Sequence, residues 1–187
     1  MLRKIAKLIR NPKIVVYTDG SCTKNGRVNA RGGIGVFYDD TSTRNISIPF
    51  DDAVKRAGFT TDLNPPTNNK TELLAVLLAI KMNELFLSDG NSTIVIKTDS
   101  RYVIDSFTLW YHTWLKNDWV NANNKPVSNK EIIEKVIVFI LKYKSQITFS
   151  HVKAHMMAPL LHSEEYADWH GNNMADRLAT LASSIKK

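Results

Sequence analysis

Ile14-Val15-Val16-Tyr17 is an unbroken apolar run that closes on Thr18-Asp19-Gly20-Ser21, and Thr93 to Lys97 is a second such run that closes on Thr98-Asp99-Ser100. Short continuous runs rich in β-branched residues read as strands buried on both faces. The connection between the two is long and contains a helical pattern, which makes them parallel neighbours, because parallel strands need a crossover. This pairing is the strongest constraint on the fold. It requires an α/β sheet with Asp19 and Asp99 at strand carboxyl ends, where open sheets of this class place their sites. On neighbouring parallel strands the two acids stand roughly 5 Å apart, within reach of one shared ion.

The remaining elements follow from period and punctuation. Gly33 to Tyr38 reads as a strand hairpinned to the first, and Asn45 to Pro49 alternates like an outer third strand. Phe50 to Asn69 has no clear period and contains Pro65-Pro66, so it reads as a long loop with a short helical turn near residues 51–57. Thr67 or Asn68 caps a helix with an apolar face of Leu73, Leu74, Val76, Leu77 and Ile80, and Glu72 is placed in its first turn. Ser100 caps a helical region carrying Tyr102, Val103, Phe107, Trp110 and Trp114. Lys130 to Lys142 is an amphipathic helix, Gln146 to Val152 a fifth strand, and Asn172 to Ile185 a closing helix with Met174, Leu178, Leu181 and Ile185 on one face. Asp176 falls near the start of that helix.

Composition narrows the class. A chain of 187 residues with 43% hydrophobic content holds one globular core, so the expectation is a single domain over residues 14–187. Cys22 is the sole cysteine, which excludes an intramolecular disulfide and a multi-cysteine zinc site and agrees with a reducing, intracellular compartment, cytoplasm or nucleus. No apolar run approaches the roughly 20 residues that span a bilayer, so no membrane role is expected. A net charge of +7 favours a polyanionic partner. Part of it lies in residues 1–13, where Arg3, Lys4, Lys7, Arg10 and Lys13 surround Leu2, Ile5, Leu8 and Ile9 without one acid. An organelle-targeting arm, a surface amphipathic helix and a nucleic-acid tail all fit this pattern; its shortness and lack of serine favour a plain basic extension.

Two carboxylates roughly 5 Å apart repel unless a proton or a cation is shared between them. With Glu72 and Asp176 added, Mg²⁺ or Mn²⁺ held by oxygen ligands is the economical explanation. Two ions roughly 4 Å apart can activate water on one side and stabilise a leaving oxygen on the other, which is phosphodiester chemistry. Each acid alone supports an ordinary reading: Asp99 as a turn former or cap, and Glu72 and Asp176 as partners of a helix dipole. Only their joint arrangement argues for metal.

The ordered motifs Thr18-Asp19-Gly20-Ser21-Cys22, Thr67-Asn68-Asn69-Lys70-Thr71-Glu72, Thr98-Asp99-Ser100, Val152-Lys153-Ala154-His155 and Asn172 to Ala179 resemble those of type 1 ribonuclease H. The resemblance covers nearly everything from Ile14 to Ala182. Asn25-Gly26-Arg27 and Arg31 to Val36 are more similar to the cellular eukaryotic branch than to retroviral domains. It implies a ribonuclease H-like fold, a five-stranded mixed sheet with helices on both faces. It also implies a monomer that hydrolyses the RNA strand of RNA–DNA hybrids with two Mg²⁺ ions, or Mn²⁺ as substitute, leaving 5′-phosphate and 3′-hydroxyl ends. Carried over motif by motif, Asp19, Glu72, Asp99 and Asp176 are the metal ligands. His155 matches the mobile histidine that assists proton transfer or product departure. Asn25, Asn68, Asn69 and the backbone near Cys22 correspond to contacts with the RNA strand, whose 2′-hydroxyls line a wide, shallow minor groove. Thr67 and Asn129 correspond to a DNA phosphate pocket, and Trp110 and Trp114 to an aromatic channel for the DNA strand. Without the resemblance, the asparagines are turn residues and the tryptophans are core.

Three departures stand out. Pro65 occupies the position where the eukaryotic pocket often has arginine, two before the threonine. The handle after Trp110 keeps its aromatics but little basic charge, with Lys116 near Asp118 and an Asn121-Asn123-Asn124 cluster, which predicts a shallower salt slope than a lysine-rich handle gives. The stretch from His155 to Asp176 is long, lacks the expected glycine after the histidine, and contains His162, Asp168 and His170. Those three could form a second metal set, but no fixed ligand spacing recurs and a solvated loop is the favoured reading. Competing functions are a non-catalytic hybrid-binding module, weakened by the presence of all four acids, and a strand-transfer or resolving nuclease of the same fold, which would lack the asparagine set and the aromatic handle.

Overall fold

The computed structural model describes residues 12–154, 156–161 and 163–185. The basic segment over residues 1–11, His155 and His162 therefore lie outside the described residues. Five strands, β1 (Lys13–Thr23), β2 (Arg31–Phe37), β3 (Ile46–Pro49), β4 (Thr93–Thr98) and β5 (Ile147–His151), form one mixed sheet in the order β3-β2-β1-β4-β5. As expected, β1 pairs antiparallel with β2 and parallel with β4, with Tyr17 opposite Lys97 in the last parallel pair. The helices are α1 (Phe50–Arg56), α2 (Asn68–Met82), α3 (Glu84–Ser88), α4 (Arg101–Asp105), α5 (Tyr111–Trp114), α6 (Lys130–Tyr143) and α7 (Glu164–Ser184), with a π-helical turn at Ser106–Trp110 joining α4 to α5. Among the described residues no helix is long and apolar enough to cross a membrane.

Alternation along β1 separates the two faces of the sheet. Val16 points into the main core with Ile34, Ile94 and Ile96, while Tyr17 points the other way, against Phe37 and Ala175. On the first face lies α2. It is capped by the Thr67 hydroxyl, which accepts from the Lys70 amide at 3.2 Å, and it is buried on every side from Leu73 to Ile80 rather than along one stripe. A helix apolar all round belongs in a protein interior. Burying each of its leucines contributes about 2 kcal/mol.

The second face is built differently. A Cβ on Gly35 would stand 2.1 Å from the Ala175 carbonyl, so α7 lies directly on the sheet and only a bare backbone fits beneath it. This corrects the expected apolar face of α7: Met174 and Leu178 are packed, but Leu181 and Ile185 are exposed, and Ala175, Ala179 and Ala182 are the buried stripe. The helix also starts at Glu164, capped by the Ser163 hydroxyl, eight residues before the expected Asn172. The second half of the presumed loop between His155 and Asn172 is therefore helix, and Asp176 sits in mid-helix, not near its start. The region Phe50–Arg56, expected as loop with a helical turn, is a two-turn helix.

Candidate active site

Asp19 lies within β1, not beyond it. The strand outruns its parallel partner, so past Tyr17 it is held by β2 alone, with Asp19 opposite Gly35. Asp99 directly follows β4 and so stands near the level of Asp19 across the opened gap. Glu72 arrives from the other face because Gly20 has no side chain: a Cβ there would meet the Glu72 amide at 2.3 Å. Glu72 opens the second turn of α2, with no acid in the first, so a dipole role does not account for it. Carboxylate oxygens of Asp19, Glu72 and Asp99 all lie within 4.8 Å of one another. Asp176 joins them in lining an open cleft of about 360 Å³, together with Cys22, Asn68 and Ala154.

The electrostatics of this cluster are unfavourable without a counter-charge. Burial, then the charges of Asp99 and Asp176, push the Asp19 carboxyl up to about 7. Burial, then Asp19 and Asp99, hold Glu72 well above the usual carboxylate range, and its buried Oε2 has no hydrogen-bond partner. Orphaned oxygen and crowded acids together make an all-oxygen donor set that fits a hard divalent cation.

The other expected residues divide between the rim of this cleft and a separate basin. Asn25 Oδ1 accepts from the Asn68 amide at 2.9 Å, so its side chain serves the first turn of α2, and Cys22 Sγ donates to the Pro66 carbonyl at 3.3 Å. Burial holds the Cys22 thiol above its ordinary value. Cys22 and Asn68 face the cleft; Asn69 is exposed beside them. Trp110 and Trp114 line a basin of about 500 Å³ with Tyr102, Asn117 and Asn121. Trp110 is 39% exposed and Trp114 only 8%, so the first offers a ring to a ligand and the second forms the wall behind it. Asn129, in the left-handed region at φ 61°, precedes α6 and donates to the Tyr102 hydroxyl at 3.3 Å, whereas Thr67 caps α2. Beside Pro65, Lys70 already donates to the Leu63 and Pro65 carbonyls at 2.6 and 3.0 Å.

The matching family model is that of RNase H, over residues 11–184. This chain belongs to the RNase H family. A ribonuclease H of Schizosaccharomyces pombe is 35% identical over 170 residues, covering 91% of this chain and 53% of that protein, so the chain spans about half the length of this relative. A ribonuclease H of Rickettsia massiliae is 33% identical, with 89% of this chain and 88% of that one covered. Among solved structures, the RNase H domain of PFV in solution superposes with a TM-score of 0.62 at 29% identity, covering 91% and 93% of the two chains. A foamy viral protease-reverse transcriptase in complex with an RNA/DNA hybrid gives 0.63 at 26% identity, over 91% of this chain and 20% of that one.

Within this RNase H fold the supposed second metal set does not assemble among the described residues. Asp168 accepts from the Tyr17 hydroxyl at 2.9 Å and pairs with Lys97, while His170 Nε2 is bound to Asp40 at 2.9 Å. Asn172 was not singled out from the sequence for the role it occupies: it is 6% exposed and donates through Nδ2 to Asp99 Oδ2 at 2.9 Å. The signal was its place four residues before Asp176, on the same helical face.

Proposed function

We propose that this chain is a ribonuclease H that hydrolyses the RNA strand of RNA–DNA hybrids, leaving 5′-phosphate and 3′-hydroxyl ends. The observation that carries the reading is the convergence of Asp19, Glu72 and Asp99 within 4.8 Å, completed by Asp176, in a chain of the RNase H family. These four carboxylates would hold two Mg²⁺ ions, with Mn²⁺ as substitute. Bound there, the ions would offset the crowding of negative charge, promote attack by water and stabilise the leaving oxygen.

The chain's own groups divide the remaining work. Asp19 forms the floor of the cleft, and Glu72 approaches from α2 while Asp99 and Asp176 approach from β4 and α7. Cys22, Asn25, Asn68 and Asn69, on or next to the rim, are suited to a ribose edge, where short polar groups and backbone distinguish RNA through its 2′-hydroxyl. Trp110 offers a stacking surface to the DNA strand, and Thr67 and Asn129 are assigned to its phosphates by the family resemblance. His155 is assigned to proton transfer or product departure by its motif. The hybrid-bound foamy viral neighbour supports the choice of substrate.

The reading is tested by incubating labelled hybrid, double-stranded RNA and double-stranded DNA with wild type and Asp99→Asn in Mg²⁺ or Mn²⁺. Only the RNA of the hybrid should be cut, and Asp99→Asn should lose that activity. Cleavage of duplex DNA, or full activity in the mutant, contradicts it.

A further inference from the structure

The small groups of the seam between α7 and the sheet fix distance: Ala175 and Ala179 lie on Gly35 and Gly33. Farther along α7, Ser47 Oγ donates to the Leu178 carbonyl at 2.7 Å and the Ser21 and Ser183 hydroxyls meet at 3.2 Å. Register comes from polar rungs. Asp168 on α7 is held by Tyr17 of β1 and Lys97 of β4, which are themselves opposite one another across the sheet. Four residues on, Asn172 reaches Asp99, two residues beyond Lys97. Four more bring Asp176 to the cleft. Four helical residues rise about 6 Å, and two strand residues advance roughly 6.6 Å. One helix repeat therefore matches one strand repeat closely enough for successive rungs to meet, and Asp168 and Asn172 set where Asp99 and Asp176 stand. Asn172 also leaves Oδ1 buried and unpartnered, a burial cost that its one donated bond to Asp99 has to offset.

We propose that Asn172, and Asp168 with its partners Lys97 and Tyr17, are positioning residues: Asn172 aims the Asp99 carboxylate, and the Tyr17–Asp168–Lys97 group locks the register of α7 that brings Asp176 to it. The inference rests on the reading of the cleft as a cation site. It assigns to the Lys97 and Asp168 pair, which does not line the cleft, control over how tightly the cation binds.

The test is the Mg²⁺ dependence of thermal unfolding of the full chain, which needs no substrate. Asn172→Ala keeps a good helix former and should raise the Mg²⁺ concentration for half-maximal stabilisation about tenfold, as loss of a hydrogen bond to a metal-holding carboxylate does. It should lower kcat on hybrid while leaving KM unchanged. Lys97→Met with Asp168→Asn removes both charges together, so no half-buried charge is left unpaired, and should raise the Mg²⁺ midpoint in the same direction by a smaller factor. A role in stability alone would lower the metal-free Tm of either variant without moving its Mg²⁺ midpoint, and that result overturns the inference. Absence of Mg²⁺ stabilisation in wild type overturns the cation reading itself, and this inference with it.

Discussion

The two faces of the sheet are built on opposite principles. Against α2 the sheet presents Val16, Ile34, Ile94 and Ile96, which share one core with fully buried leucines and isoleucines of α2 and of α6 behind it. Against α7 it presents glycines, Tyr17, Phe37 and the polar rungs of Lys97 and Asp99, met by alanines and by Asp168 and Asn172. The first face has volume and supplies stability. The second has direction and supplies placement, since hydrogen bonds specify position where dispersion contacts do not. The carboxylates sit where the faces meet at the top of the sheet, Glu72 from one side and Asp176 from the other, so the site needs both.

The contrast is most sharply broken by removing volume from the first face. Leu77→Ala, at a position with no exposure, should cost about 2 to 5 kcal/mol in denaturant unfolding, yet leave the Mg²⁺ midpoint of the folded fraction unchanged. The acids at the junction should act through pH. Asp19 binds its proton more tightly folded than unfolded, so the metal-free fold should lose stability as pH rises from 3.8 to about 7 and stay at the lower level above that. A Tm series in chelator across that window, where the loss is on the order of 4 kcal/mol in total, checks it; saturating Mg²⁺ should abolish the loss. In the aromatic basin, Trp110→Ala should weaken hybrid binding by about 1 to 3 kcal/mol, seen as a raised KM with an unaltered Mg²⁺ midpoint. The smallest effect belongs to the cap of α2: Thr67→Ala should lower stability by about 1 kcal/mol, measured by urea unfolding.

What the sequence revealed and what it concealed follow the same division. The parallel pairing of β1 with β4, and with it the nearness of Asp19 to Asp99, was legible because buried strands are local, continuous apolar runs. A cap at Thr67 or Asn68 was legible for a similar local reason, and Thr67 is the residue that caps. The first half of α7 was not. Glu164 to His170 carries no apolar period, and two of its polar side chains are satisfied by residues distant in the chain: Asp168 by Tyr17 and Lys97, and His170 by Asp40. Leu181 and Ile185 misled because periodicity selects the most apolar face, whereas a backbone of glycines requires the smallest one. Glu72 moved from the first turn to the second because α2 begins directly after its Thr67 cap. The Asn172 contact was hidden for another reason: one amide on a helix has no pattern until the strand opposite it is known.

The central claim, that the four acids form a cation site which the fold maintains against their mutual repulsion, is tested most directly by comparing Asp19→Asn with wild type in thermal unfolding at pH 8, with and without Mg²⁺. Wild type should be raised in Tm by Mg²⁺, and Asp19→Asn should be more stable than wild type in chelator yet respond little to the ion. A wild type indifferent to Mg²⁺, or an Asp19→Asn variant less stable than wild type in chelator, would contradict it.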